Sequence, residues 1–223
     1  MTDPQTIDGL LKKASAKLSA ALSLDHQAAR HEARLLLAEQ LECDNSFLFS
    51  HGDTPLKPAQ ITSYWNAIER RAAGEPVAYI IGSRGFWRFQ FQTTPAALIP
   101  RPDTELLVER ALAIIAKHPI TDVADLGTGT GAIGLSLAAE KTDLRVYLID
   151  ASAAALALAK QNQKFIAEQA GCIAPSMLIR SHWLDALGAQ SLDMIVSNPP
   201  YIAADDPHLK RGDLCFEPPT ALI

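Results

Sequence analysis

Up to about residue 73, apolar positions recur at helical spacing and polar ones fill the gaps between them. Ile7, Leu10, Leu11, Ala14 and Leu18 share one face of a first helix. Ala29, Ala33, Leu36 and Leu41 share a face of a second, which opens behind Asp25 as an N-cap. A third begins at Pro58 and carries Ile61, Trp65, Ile68 and Ala72. The pattern predicts a small helical bundle over residues 1–73. From Gly74 the texture changes. Two apolar runs, Val77 to Ile81 and Phe86 to Phe91, flank Gly82-Ser-Arg-Gly85, and this predicts a β-hairpin linker over 74–101. From residue 102 onward helices and strands alternate. Helices are expected near 103–117, 132–140 and 153–168, and strands at 122–126, 144–149, 177–179 and 192–196. Repeated strand–helix units with short connections predict an α/β domain over 102–223. Its sheet would be parallel and doubly wound, with ligands at the carboxyl ends of the strands.

The composition, 48% hydrophobic and 20% charged over 223 residues, supplies enough apolar surface for such cores and excludes a disordered chain. A formal net charge of -5 lacks the basic excess that would neutralise a phosphate backbone, so no direct nucleic-acid partner is expected. One local exception stands out. Arg70, Arg71, Arg84, Arg88 and Arg101 face a single acid, Glu75, between residues 70 and 101, which reads either as solvated arginines or as a patch for an acidic partner. Cys43, Cys172 and Cys215 lie far apart in no metal-binding spacing, so neither a disulfide framework nor a metal is expected. No apolar run approaches a membrane span and the first residues show no signal pattern. The expected location is the cytoplasm, without membrane contact.

Candidate chemistry begins at Asp125-Leu-Gly127-Thr128-Gly129-Thr130-Gly131, between a strand and a helix. Alternating glycines permit positive φ and let backbone approach a ligand closely. Read from Gly129 to Gly134 the run is also GxGxxG, with Asp150 ending the next strand, where a ribose-binding acid would sit. On the loop alone, nicotinamide and flavin chemistry stay open. Asp125 would place a carboxylate at the strand tip, suited to an ammonium group and not to a pyrophosphate. With that acid the run resembles the D-x-G-x-G-x-G loop of S-adenosylmethionine-dependent methyltransferases. The resemblance implies that Gly127, Thr128, Gly129, Thr130 and Gly131 wrap the methionine part of the cofactor and that Asp150 holds its ribose.

Ser197-Asn198-Pro199-Pro200-Tyr201 follows the last expected strand. A proline pair ends a strand, because it lacks an N–H and fixes φ. The residue types also suit one reaction. The nitrogen of a carboxamide or aromatic amine is a poor nucleophile because its lone pair is delocalised. Acceptors that grip its hydrogens, the Asn198 side-chain carbonyl and the Pro199 main-chain carbonyl, would aim that lone pair at a sulfonium methyl. Tyr201 could cover the planar group. Methyl transfer then depends on alignment more than on acid–base catalysis.

This tetrad is similar to those of methyltransferases acting on planar-group nitrogens, whether base amines in DNA or glutamine side chains in proteins. Nearly the whole chain resembles the peptide chain release factor glutamine methyltransferases. The likeness runs through the helical N-terminal region, the hairpin, Leu98-Ile-Pro-Arg101-Pro-Asp-Thr-Glu105, the glycine loop, Asn198 to Tyr201 and Phe216-Glu217-Pro218. It implies methylation of the glutamine in the Gly-Gly-Gln tip of class 1 release factors, with S-adenosylmethionine as donor and S-adenosylhomocysteine as product. The catalytic and substrate-binding set would be Asn198, Pro199, Pro200 and Tyr201, and Trp183 would join Asn198, Asp150 and the loop around the cofactor. The helical bundle would bind the release factor, and the enzyme would be a monomer if its sheet is complete. Before Trp183 the family commonly has an acid and this chain has His182. The resemblance also implies a Rossmann-like sheet of seven strands, of which four can be read here, and therefore a catalytic domain truncated at its C-terminus. A DNA adenine methyltransferase and an inactive binder of the same fold are the alternatives.

Overall fold

A computed structural model describes residues 5–203, 205–210 and 212–223. They divide into two compact units. One runs as far as Ile81 and takes in Lys210–Phe216; the other comprises Gly82–Leu209 and Glu217–Ile223.

The first unit is helical, with α1 (Ile7–Leu22), α2 (His26–Leu41), α3 (Asn45–Ser50), α4 (Pro58–Ala72) and α5 (Val77–Ile81). Side-chain oxygens of Thr6, Asp25 and Asp44 accept from Gly9, Ala28 and Phe47 N–H and so satisfy donors that the first turns of α1, α2 and α3 leave open. The faces read from the sequence meet in one core, where Ile7, Leu18, Leu36, Tyr64 and Ile68 are fully buried. Arg71 lies in this unit, and its guanidinium binds both oxygens of Glu32 at 2.7 and 3.1 Å and one oxygen of Asp213 at 2.9 Å.

The expected hairpin strand at Val77 to Ile81 is instead the short helix α5. Pro76 precedes it, where a missing N–H costs nothing, and its carbonyl accepts from Tyr79 and Ile80 N–H at 3.0 and 3.1 Å. Five apolar residues with no alternation suit a strand or a buried helix equally; here Ala78 and Tyr79 are buried, and Val77, Ile80 and Ile81 pack on the helical core.

The hairpin lies further on and opens the second unit, with β1 (Ser83–Phe86) and β2 (Phe89–Gln92) joined through Trp87-Arg88. Trp87 has φ 57°, a left-handed conformation unusual for a bulky side chain. Two carboxylates hold it. Glu105 accepts its backbone N–H at 2.9 Å, and Glu140 accepts its indole N–H at 2.7 Å.

The sheet holds β3 (Asp122–Leu126), β4 (Arg145–Asp150), β5 (Ser176–Arg180) and β6 (Met194–Ser197), all parallel, in the order β5-β4-β3-β6. Alternation sorts its side chains between two clusters. Val123, Val146, Leu148 and Val196 pack under α6 (Glu105–Ile115), α7 (Ala132–Glu140) and α8 (Ala153–Ala170). Ala124, Leu126 and Ile149 face Leu187 and Leu192 of the β5–β6 connection. Helices were expected on both faces; among the described residues they cover one. At the amino ends of the strands, Asp193 Oδ2 accepts from Thr121 and Asp122 N–H at 2.8 and 3.0 Å, just before β6 begins.

Four of the five arginines of the 70–101 stretch have carboxylate partners. Arg70 pairs with Glu75, Arg88 with Glu140 and Arg101 with Glu217, while Arg71 is buried among carboxylates. Among the described residues no helix is long and apolar enough to cross a membrane.

Candidate active site

At the carboxyl ends of β3 and β4 the chain closes round a cavity of about 410 Å³. One wall is the glycine loop. Gly127, Gly129 and Gly131 have φ of 68°, 56° and 83°, which a Cβ would strain, so the alternation seen in the sequence is a backbone requirement. Gly127, Thr128, Gly129 and Thr130 line the cavity. Gly131 does not, since it starts α7 and lies against Leu135.

Asp150 lines the same wall, and its two oxygens accept Gly129 N–H at 2.9 Å and Ser152 N–H at 2.8 Å. A carboxylate has roughly four acceptor directions, so it can brace the loop and still accept hydroxyls from a ligand. Beside it, Ser181, His182 and Trp183 complete this side, and Trp183 is 53% exposed.

Asp125 stands elsewhere than expected. It is fully buried and does not line the cavity. Its Oδ2 accepts the Thr128 hydroxyl at 2.6 Å and Gly134 N–H at 2.9 Å, which ties the loop's first turn to the start of α7. Oδ1 has no partner among the described residues. Burial is the main cause that pushes this carboxyl up to about 6, aided by the nearby Asp150 charge and opposed by the two hydrogen bonds.

Gly134 allows α7 to approach β3 and β4. An added Cβ would lie 2.4 Å from Leu148 Cδ2 and 3.1 Å from the Asp125 Cβ. Alanine is the better helix former by about 1 kcal/mol, whereas overpacking costs about 1–3 kcal/mol. Gly134→Ala is therefore expected to lose a net of up to ~2 kcal/mol of unfolding free energy, measured by urea titration. Stability above wild type would refute the close-packing account.

The second wall comes from the Leu98 to Glu105 stretch and from the turn after β6. Pro100, Arg101, Thr104, Asn198 and Pro200 line it. Asn198 Nδ2 donates to Thr104 Oγ1 at 3.3 Å. Pro199 is exposed and Tyr201 is 80% exposed, and neither lines the cavity. The structure thus brings Asn198 and Pro200 to one cavity with the loop, Asp150 and Trp183, and leaves Gly131, Pro199 and Tyr201 outside its lining.

Asn162 was missed in the sequence. It is fully buried in α8; its Oδ1 accepts Gln92 N–H at 2.7 Å, and its Nδ2 donates to Thr130 O at 2.9 Å and Gln92 O at 3.1 Å. One carboxamide therefore joins the hairpin to the glycine loop. An asparagine on the apolar side of an otherwise Ala-rich helix was the available signal.

The cavity fits an extended ligand with a diol. Its loop backbone is open to close approach, an aromatic side chain stands at one end, and a carboxylate is set among backbone donors. Residues 9–82 match the family model of the PrmC N-terminal domain, and 102–212 match that of the methyltransferase small domain. The release factor glutamine methyltransferase of Xylella fastidiosa strain 9a5c is 47% identical over 87% of this chain and 69% of its own length. That of Salmonella typhimurium is 44% identical over 89% and 70%, and that of Escherichia coli K12 is 41% identical over 96% and 73%. Among solved structures, the N-terminal domain of human METTL16 in complex with SAH superposes with a TM-score of 0.38 at 16% identity. That match covers 77% of this chain and 67% of the other. The identities and coverage place the chain plainly: it belongs to the release factor glutamine methyltransferase family.

Proposed function

We propose that this chain transfers the methyl group of S-adenosylmethionine to the side-chain amide nitrogen of the glutamine in the Gly-Gly-Gln tip of class 1 release factors. The observation that carries the reading is one cavity lined both by the glycine loop with Asp150 and by Asn198. Family membership supplies the substrate class. Gly127 to Thr130 would cradle the methionine part, Asp150 would accept the ribose hydroxyls, and Trp183 would stack by the adenine. When bound, S-adenosylmethionine supplies a sulfonium methyl that the amide nitrogen takes with its lone pair, the sulfur keeping the C–S electrons.

Asn198 has the central role. Its side-chain oxygen accepts an N–H of the substrate amide and turns the nitrogen toward the methyl. Pro199 would offer its main-chain carbonyl to the second N–H, Pro200 would stiffen the turn, and Tyr201 would cover the amide plane. Positive charge moves onto the nitrogen during transfer, so acceptors aimed there favour the transition state. The proton shed by the nitrogen passes to water, and no side chain is assigned as a general base.

The helical region is proposed to bind the release factor away from its tip, and the enzyme to act in the cytoplasm, as a monomer if its sheet is complete. Labelled S-adenosylmethionine tests the reading. Incubation with a release factor, with the same factor carrying alanine at the target glutamine, and with unmethylated DNA should label only the first. Label in DNA alone would refute it.

A further inference from the structure

A carboxamide has two unlike ends, one accepting and one donating, exchanged by a 180° turn about its last bond. The proposed role of Asn198 needs the oxygen toward the substrate, because the substrate amide brings N–H groups. An NH₂ in that place would oppose donor to donor. Something in the protein must hold the other end.

The geometry points to Thr104 as the positioning residue that anchors the Asn198 side chain, its Oγ1 taking an N–H of the amide. This inference rests on the proposed function and names a residue on which it depends. Thr104 Oγ1 accepts from Asn198 Nδ2 at 3.3 Å, and both residues line the cavity. Thr104 ends the tight turn Pro102–Thr104, with its own N–H on Arg101 O at 3.1 Å. The residues around it are anchored. The Arg101 guanidinium pairs with Glu217, whose side chain is fully buried and also accepts Ile99 N–H at 3.2 Å. Glu105 holds the Trp87 N–H at 2.9 Å. The hydroxyl is therefore presented from a fixed backbone, which a surface threonine would not offer. The stretch Arg101 to Glu105 gains a physical reading: its two ends fasten the turn and its threonine faces the catalytic amide.

The test compares wild type, Thr104→Val, which keeps the shape and removes the hydroxyl, and Thr104→Ser, which keeps the hydroxyl. Steady-state methylation of release factor gives kcat and both KM values, and calorimetry gives S-adenosylhomocysteine affinity. The expected result for Thr104→Val is a fall in kcat of about tenfold, the scale of one lost hydrogen bond. KM for S-adenosylmethionine and product affinity should stay within about threefold, and Thr104→Ser should recover kcat to within about threefold of wild type. In an Asn198→Ala background Thr104→Val should cost nothing further, because its effect runs through Asn198. The inference is overturned by a Thr104→Val kcat within twofold of wild type, by equal losses in the serine and valine variants, or by a parallel loss of product affinity. If Thr104→Val does not fold, Thr104→Ala is read by the same criteria. A wild-type chain that labels no release factor would sink the proposed function itself, separately from any comparison at Thr104.

Discussion

Asn198→Ala should lower kcat for release-factor methylation by about 10²–10³-fold and leave S-adenosylhomocysteine affinity within about threefold of wild type. The magnitude is that of removing one preorganised polar group from a reacting centre, on the order of 3–4 kcal/mol in the transition state. It acts there because the amide nitrogen is a delocalised, weak nucleophile until its hydrogens are gripped and its lone pair is aimed. Product affinity should survive because the loop and Asp150 form the opposite wall with their own supports, Gly129 N–H on Asp150 and the Thr128 hydroxyl on Asp125. Single-turnover methylation together with calorimetry separates the two quantities. A kcat loss below about tenfold would remove Asn198 from the centre of the mechanism. A matching loss of product affinity would make it a residue of cavity shape.

Asp125→Asn should change how stability depends on pH. In the folded chain burial raises this carboxyl from 3.8 to about 6, so the native state holds its proton more tightly than the unfolded state does. Stability from this group is fully present below the unfolded value and is lost as pH rises through the folded one. The window is pH 4 to 6, and the size is about 3 kcal/mol from the two-unit difference. Asparagine cannot ionise, so the fall in unfolding free energy between pH 4 and pH 7 should shrink by roughly that amount. Urea titrations at pH 4, 5, 6 and 7 measure it. Parallel pH profiles for the two proteins would sink the account. Asp122 does not confuse the reading, since Arg145 holds its carboxyl well below the usual range and its contribution is lost only at more acid pH.

Much of the sheet was legible. β3 and α7 occupy the residues read from the sequence, because strand alternation, the glycine turn and helix length all agree there. Val77 to Ile81 was misread because five consecutive apolar residues carry no period, and only the neighbouring helical core decides for α5. At the site, spacing and chemistry singled out Asp150 and Asn198, and both line the cavity. Asp125 was visible as a residue and misplaced in role. Sequence spacing puts its carboxylate at the strand tip, but its direction depends on Thr128 and Gly134, which fold back over it. Asn162 and the Thr104 contact join segments 70 and 94 residues apart, and no local pattern announces such pairs.

Asp193 lies at the end of the sheet away from the cavity, and its carboxylate ties the start of β6 to the start of β3. Among the described residues β6 hydrogen-bonds to β3 alone, through four paired positions from Met194 to Ser197. A shift of one residue would turn every side chain to the opposite face and take Val196 out of the core. By holding the backbone of Thr121 and Asp122, Asp193 adds a tie to that register five residues before Asn198. A carboxylate one strand-length from the cavity thus helps set the position of the amide proposed to be catalytic.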